Sequence, residues 1–365
     1  MAVLSLMKHK FELASELLST QMLSRGLHVS SSIQKFVTSI KERVLITGGM
    51  GQLGRALAAS LRAKHGDDNV ILSDIVKPTD DVLAAGPFVY ADILDAKSLH
   101  QIVVNNRITS LVHFSALLSA IGERNVPLAM QVNVGGVQNI LEVSRAHKLK
   151  VFIPSTIGAF GPDTPKNPTP DLTIQRPTTI YGVAKVYAEL LGEYYSTRYG
   201  VDFRSLRYPG VLSAETMPGG GTTDYAISIF HDALKRNYHN CYLRADTRMP
   251  MIYIDDCIRA TVEILAVPES ALQRRVYNIS AVSFTPSEIA AQIQTLFPKF
   301  KIEYTPDARQ IIADSWPQVL CDKNARQDWS WKHEYDLKAI VAIMFEKLIP
   351  RYSENEPFVE AIDRN

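Results

Sequence analysis

The 365-residue sequence predicts an α/β fold: a Rossmann-type doubly wound parallel sheet with a smaller, discontinuous mixed C-terminal substrate domain. Three observations predict it. From Arg43 onward, short apolar runs alternate with stretches of helical periodicity, the pattern of a parallel sheet covered by helices on both faces. The first apolar run leads straight into glycines at 48, 51 and 54. After Gly210 the alternation becomes irregular, apart from one strand-then-helix return at 252–260.

Each element follows from its residues. The first strand, 44–47, is Val-Leu-Ile-Thr, apolar enough for a strand buried on both faces. Gly48 permits a tight turn, Gly51 lets backbone N–H groups approach a phosphate, and Gly54 lets the helix over 54–64 pack close to the strand. That helix offers unpaired donors and a positive dipole end to an anion. A second strand, 70–73, runs into Asp74, whose carboxylate can accept both hydroxyls of an adenosine ribose and would repel a 2′-phosphate. This favours NAD over NADP, with Lys77 as the one nearby cation that argues otherwise. Further strands are expected at 88–91, 110–114, 151–154, 203–207 and 276–279, and helices at 96–104, 126–146 and 181–199. His113, at an apolar strand end, reads as a packed core histidine. A proline-rich loop covers 161–170, and a glycine tract at 217–224 can serve as a mobile lid or as a surface linker. The expected organisation is a dinucleotide-binding domain of residues 42–210 plus 252–279, a substrate-binding lid domain of residues 211–251 plus 280–350, and a tail of 351–365.

Composition narrows the function classes. The net charge of +1 provides no basic field for nucleic acid or acidic membranes. Cys241, Cys257 and Cys321 have no ligand spacing, so reduced thiols and no metal site are expected. No apolar run reaches the length of a membrane span. Residues 1–41 carry Lys8, Lys10, Arg25, Lys35 and Lys41 against Glu12 and Glu16, with frequent serine and helically spaced leucine. This is the composition of a mitochondrial transit segment; the alternative is a docking extension.

The chemistry concentrates in Val151-Phe-Ile-Pro-Ser-Thr156 and Tyr181-Gly-Val-Ala-Lys185. Tyr181 and Lys185 are one helical turn apart and share a face. A nearby ammonium favours the phenolate. A free tyrosine has a pKa of about 10, so base action near neutrality needs a shift worth roughly 4 kcal/mol. Lys185, a positively charged nicotinamide and burial beside the ribose are the expected sources. A strand-end hydroxyl, Ser155 or Thr156, would hold the substrate oxygen.

On these residues, together with Ala91-Asp-Ile93, His113-Phe-Ser-Ala116 and Asn133-Val-Gly-Gly-Val-Gln-Asn139, the sequence resembles the extended short-chain dehydrogenase/reductase superfamily over about residues 43–280. The resemblance implies that NAD is held by Gly48, Gly49, Met50, Gly51, Gln52, Leu53, Gly54, Asp74, Ile75, Asp92, Ile93, Ser115, Ala116, Asn133, Tyr181, Lys185 and Val211. The superfamily places its hydroxyl about twenty-five residues before the tyrosine. That selects Thr156 over Ser155 as the catalytic partner of Tyr181 and Lys185, although serine is the usual residue there.

Within the superfamily, the stretches 154–162, 219–226 and 247–256 look most like a mitochondrial branch that oxidises L-threonine at C3 to 2-amino-3-oxobutyrate. This resemblance implies a matrix enzyme, a homodimer paired through helices 126–146 and 181–199, and a glycine tract that closes over substrate. It places Ser155, Thr156, Tyr181, Thr223 and Asp224 at the substrate. Asp224 suits the ammonium of a zwitterion, and Thr223 or nearby backbone N–H groups suit its carboxylate. Two other readings compete. A nucleotide-sugar epimerase or dehydratase shares the fold, with Arg248 as its candidate phosphate contact. A non-enzymatic NAD sensor would be expected to lack Tyr181 or Lys185, and both are present.

Overall fold

The computed structural model describes residues 42–353, so the transit-segment expectation for 1–41 and most of the tail lie outside the described residues. Residues from Arg43 onward gather into one compact unit. Its largest sheet is entirely parallel. β1 (Val44–Thr47) lies at the centre, flanked by β2 (Val70–Asp74) and β3 (Phe88–Tyr90) on one side. On the other side lie β4 (Ser110–His113), β5 (Lys150–Phe152), β7 (Phe203–Tyr208) and β11 (Val276–Asn278). The fifth expected strand is interrupted: after β5 the chain resumes as β6 (Ser155–Thr156), which pairs with β7 in the register Ser155 to Arg207 and Thr156 to Tyr208. β1, β4 and β7 are buried along their whole length; for β1 apolar composition dictates this, whereas β7 buries Arg204 and Arg207 among apolar neighbours.

The helices that position the site have clear starts and stops. α1 (Gln52–His65) begins directly at the glycine turn, with no side-chain cap. α2 (Ala96–Asn105) is capped by Asp95. The expected helix 126–146 is broken into Val126–Met130, a π-helical turn Gln131–Gly135, and α3 (Gly136–His147). α4 (Ile180–Tyr199) starts at Thr179, whose hydroxyl accepts the Gly182 N–H at 3.1 Å, and ends at Gly200 in the left-handed conformation. The start of α4 packs against the turn Ile157–Ala159. A Cβ on Gly182 would lie 2.2 Å from the Gly158 carbonyl oxygen, so only glycine lets the helix approach this closely.

Beyond β7 two small sheets form. One joins β8 (Gly210–Leu212), β10 (Met249–Tyr253) and β12 (Val282–Phe284); the other pairs β9 (Tyr238–Cys241) with β13 (Lys301–Tyr304). The first contains both parallel and antiparallel pairs, the mixed character expected for this region. α5 (Tyr225–Arg236) follows the glycine tract, and α6 (Ile254–Ala266) runs on directly from β10. Among the described residues no helix is long and apolar enough to cross a membrane.

Candidate active site

The glycine turn at the end of β1 has the features that a dinucleotide demands. Gly48 has φ +69°, and a Cβ there would stand 2.6 Å from the Ser115 backbone nitrogen. The turn therefore nests against the segment that follows β4. The Met50 N–H donates to Asp74 Oδ2 at 3.0 Å, and the Val76 N–H to Asp74 Oδ1 at 3.1 Å. Asp74 thus sits at the end of β2 beside the glycine turn, with Ile75 and Val76 exposed next to it. The side-chain nitrogen of Gln52 is buried without a partner at the start of α1, where the helix presents free N–H groups. An orphan donor, an uncapped helix start and a carboxylate one strand over together fit NAD.

The other expected cofactor residues line the same end of the sheet. Asp92 Oδ1 accepts the Leu94 N–H at 2.9 Å, and Asn139 Nδ2 donates to the Ile93 carbonyl at 2.9 Å. Asn133, on the π-helical turn, is buried and bonds both backbone groups of Leu117 at 2.8 Å. This amide fixes the loop carrying Ser115 and Ala116. Behind it His113, Ser115, Ala116, Asn133 and Lys185 enclose a cavity of about 10 Å³, the size of one water. His113 itself is a packed core residue, its Nδ1 2.8 Å from the Thr47 hydroxyl. Burial, then the charge of Lys185, lower its pKa to about 3. Gly49, Gly54 and Ile93 are buried, while Leu53 on α1 and Val211 on β8 are partly exposed.

Tyr181, Lys185 and Thr156 come together. Lys185 is buried; its Nζ donates to the Pro154 carbonyl at 2.7 Å and lies 5.6 Å from the centre of the Tyr181 ring. Tyr181 and Thr156 are both partly exposed, and the Thr156 side chain lies near enough to act on the phenol. Thr156 Oγ1 also accepts the Gly158 N–H at 3.1 Å, which orients it. Burial acts on the phenol in the opposite sense to the expected activation: it pushes Tyr181 up to about 12, and the nearby Thr156 hydroxyl only partly offsets this. Burial also lowers Lys185 to about 8, with Glu189 opposing. In the protein alone, burial therefore favours the phenol form of Tyr181.

Ser155 takes a different place from its neighbour. It is buried, and its hydroxyl donates to the Glu189 carboxylate. Its hydroxyl is thus engaged with Glu189, because adjacent residues of β6 face opposite sides.

The glycine tract is tied down at several points, which limits the free bending expected of it. Asp224 Oδ2 accepts the N–H groups of Gly219 at 2.7 Å and Gly221 at 2.9 Å, and the Tyr242 hydroxyl donates to the Gly221 carbonyl at 2.8 Å. Arg309 stacks on the Tyr242 ring, its guanidinium carbon 3.1 Å from the ring centre. Thr223 and Asp224 remain partly exposed. Arg248 donates to the Ser283 carbonyl at 2.6 Å and pairs with Glu288, so its charge is already matched within the protein.

Sequence reasoning missed Glu189 and Arg207. Both are buried and bidentate to each other, with Nε to Oε1 at 2.9 Å and Nη2 to Oε2 at 2.7 Å. The available signals were the position of Glu189, one turn beyond Lys185, and a charged residue inside an otherwise buried strand. Tyr242 and Arg309 carry no comparable signal, because only the fold brings them to the tract.

Comparison with known proteins agrees with this geometry. The model of the NAD dependent epimerase/dehydratase family matches residues 44–280. A mitochondrial L-threonine 3-dehydrogenase from Bos taurus is 56% identical over 333 residues, covering 91% of this chain and 89% of the relative. Its counterpart from Sus scrofa is 58% identical over 310 residues, covering 85% and 83%. Among solved structures, L-threonine dehydrogenase from Phytophthora infestans superposes with a TM-score of 0.82 at 49% identity, covering 85% of this chain and all of that one. With its glycine turn, its strand-end carboxylate and its Tyr–Lys helix, the chain belongs to the NAD-dependent epimerase/dehydratase family of extended short-chain dehydrogenases/reductases.

Proposed function

We propose that this protein oxidises L-threonine at C3 with NAD, giving 2-amino-3-oxobutyrate. The observation that carries the reading is the meeting of Thr156, Tyr181 and Lys185 at the cofactor end of the sheet, in a chain similar over most of its length to threonine dehydrogenases. The residues that would hold NAD are those of the glycine turn, with Asp74 for the adenosine ribose. When bound, NAD supplies the hydride acceptor and a positively charged ring. Tyr181 Oη takes the proton of the substrate 3-hydroxyl as the general base. The Thr156 hydroxyl donates to the same oxygen and stabilises charge as it develops. Lys185, anchored on Pro154, stands beside the Tyr181 ring, where a positive charge favours the phenolate.

Substrate recognition is assigned to the tract over β8. The Asp224 oxygen not engaged by Gly219 and Gly221 pairs with the ammonium, and Thr223 holds the carboxylate. Residues 211–251 plus 280–350 act as the substrate-binding part. The sugar-nucleotide alternative loses its phosphate contact, because Arg248 is spent on Glu288 and Ser283. Leu128, Met130, Val183, Leu190 and Tyr194 are exposed on the helical segments 126–147 and 180–199, which supports a homodimer paired through these faces. The mitochondrial relatives and the basic, hydroxyl-rich start of the chain support import into the matrix.

The test is direct. Purified protein with NAD and L-threonine should generate NADH. Tyr181→Phe should abolish this while NAD still raises the melting temperature. Wild-type turnover by that variant would refute the role of Tyr181, and thermal stabilisation by UDP-sugars but not by a threonine analogue would favour the epimerase reading.

A further inference from the structure

Tyr181, Lys185 and Glu189 follow one another at four-residue intervals and so form one stripe along α4. The first two face the reaction. Glu189 lies deeper, 2% exposed, where its carboxylate receives four donors: the Ser155 hydroxyl, Arg207 Nε at 2.9 Å, Arg207 Nη2 at 2.7 Å and Gln175 Nε2 at 2.9 Å. Arg207 stands opposite Ser155 in the β6–β7 register. It also donates to the Asp171 carbonyl at 2.7 Å and to Asn278 Oδ1 at 3.2 Å. Three consecutive residues before the reacting centre are therefore held by one helix. The Pro154 carbonyl is held by Lys185, the Ser155 hydroxyl by Glu189, and Thr156 lies with Tyr181 against Gly158.

A fully buried ion pair is a poor way to stabilise a fold, since well-packed apolar residues of similar volume do as well or better. Its value here is geometric and electrostatic. We propose that Glu189 and Arg207 form a positioning pair for the oxidation, fixing the Ser155–Thr156 strand end against the Tyr181–Lys185 helix and cancelling each other's charge beside Lys185. The inference rests on the reading above, in which Tyr181 is the base. Neither residue touches substrate or cofactor. The charged and titratable groups facing the pair are Lys185 and Glu193 on α4, Asp171 in the preceding loop and Arg274 before β11; His113 from β4 faces Lys185.

The two charges predict opposite effects. Glu189→Gln leaves Arg207 uncompensated, favours proton loss from Tyr181 and moves the acid limb of kcat/KM to lower pH. Arg207→Gln leaves Glu189 uncompensated and moves the limb to higher pH. Each shift is on the order of half to one pH unit. The double variant should return the limb to near the wild-type position, while kcat stays about ten-fold or more below wild type because the strand end is loosened. Limbs that stay put, or that move in the same direction in both single variants, would overturn the proposal. Should the charge variants not fold, Ser155→Ala carries the test, since it removes one donor and no charge. Its kcat should fall about three- to ten-fold with KM for NAD unchanged, and an unaltered kcat overturns the proposal. Every variant is compared with an active wild type, so a wild-type protein inert toward L-threonine would instead sink the functional reading.

Discussion

Replacing Lys185 with Met removes an ammonium that lies 5.6 Å from the centre of the Tyr181 ring. At that separation, with an effective dielectric of about 20, one unit charge is worth about 3 kcal/mol, or about two pH units on the proton Tyr181 must release. Burial already pushes that proton's pKa up to about 12, so the loss adds to an existing penalty. Lys185 itself is held near 8, so its charge is fully present only below that pH. The variant should therefore fall about 100-fold in kcat/KM near neutrality, with the deficit narrowing as the medium becomes alkaline. The assay is initial NADH formation with saturating NAD and varied L-threonine, over about pH 6 to 10. Lys185→Arg keeps the charge and should keep the acid limb, even if the longer fork strains its contact with Pro154. A Met variant whose profile runs parallel to wild type at every pH would refute the electrostatic role and leave Lys185 as a mechanical peg.

Three further outcomes follow from particular contacts. His113 is neutral when folded, with a pKa of about 3 against 6.5 in the open chain, so its contribution to stability is intact above 6.5 and is lost as pH falls toward 3. The loss at pH 5 is about 2 kcal/mol, measurable by urea unfolding, and His113→Gln should flatten that slope. Gly182→Ala would force a methyl to within 2.2 Å of the Gly158 oxygen, costing about 1–3 kcal/mol and displacing Tyr181; a melting temperature and kcat equal to wild type would contradict the packing described. Tyr242→Phe removes the hydroxyl that holds Gly221, so KM for L-threonine should rise severalfold while NAD affinity, followed by fluorescence titration, stays constant.

The parallel sheet and the glycine turn were legible because their signals are local. The run Val44-Leu-Ile-Thr47 is a central strand by composition alone, and glycines at fixed offsets state the turn directly. Tyr181 and Lys185 were legible through helical spacing. The choice between Ser155 and Thr156 rested on spacing within the resemblance; in the fold β6 turns the Ser155 hydroxyl inward to Glu189 and leaves Thr156 on the side of Tyr181. What escaped was nonlocal. The π-helical turn that interrupts the expected helix 126–146 leaves no mark on apolar periodicity, yet it carries Asn133 to Leu117. The sign of burial on Tyr181 escaped as well, because desolvation depends on what surrounds the ring. The restraint of the glycine tract depends on Tyr242, some twenty residues downstream, so composition alone suggested more freedom than the fold allows.

The bond from Met50 to Asp74 has an engineering corollary. The residue we assign to the adenosine ribose is also a strut for the loop we assign to the pyrophosphate. Exchanging Asp74 for a small neutral residue, the usual first move in converting a dehydrogenase to NADP, would open the ribose end and slacken the cradle in one stroke. A productive conversion would have to supply a second acceptor for the Met50 amide before it rewarded any new cation near Lys77.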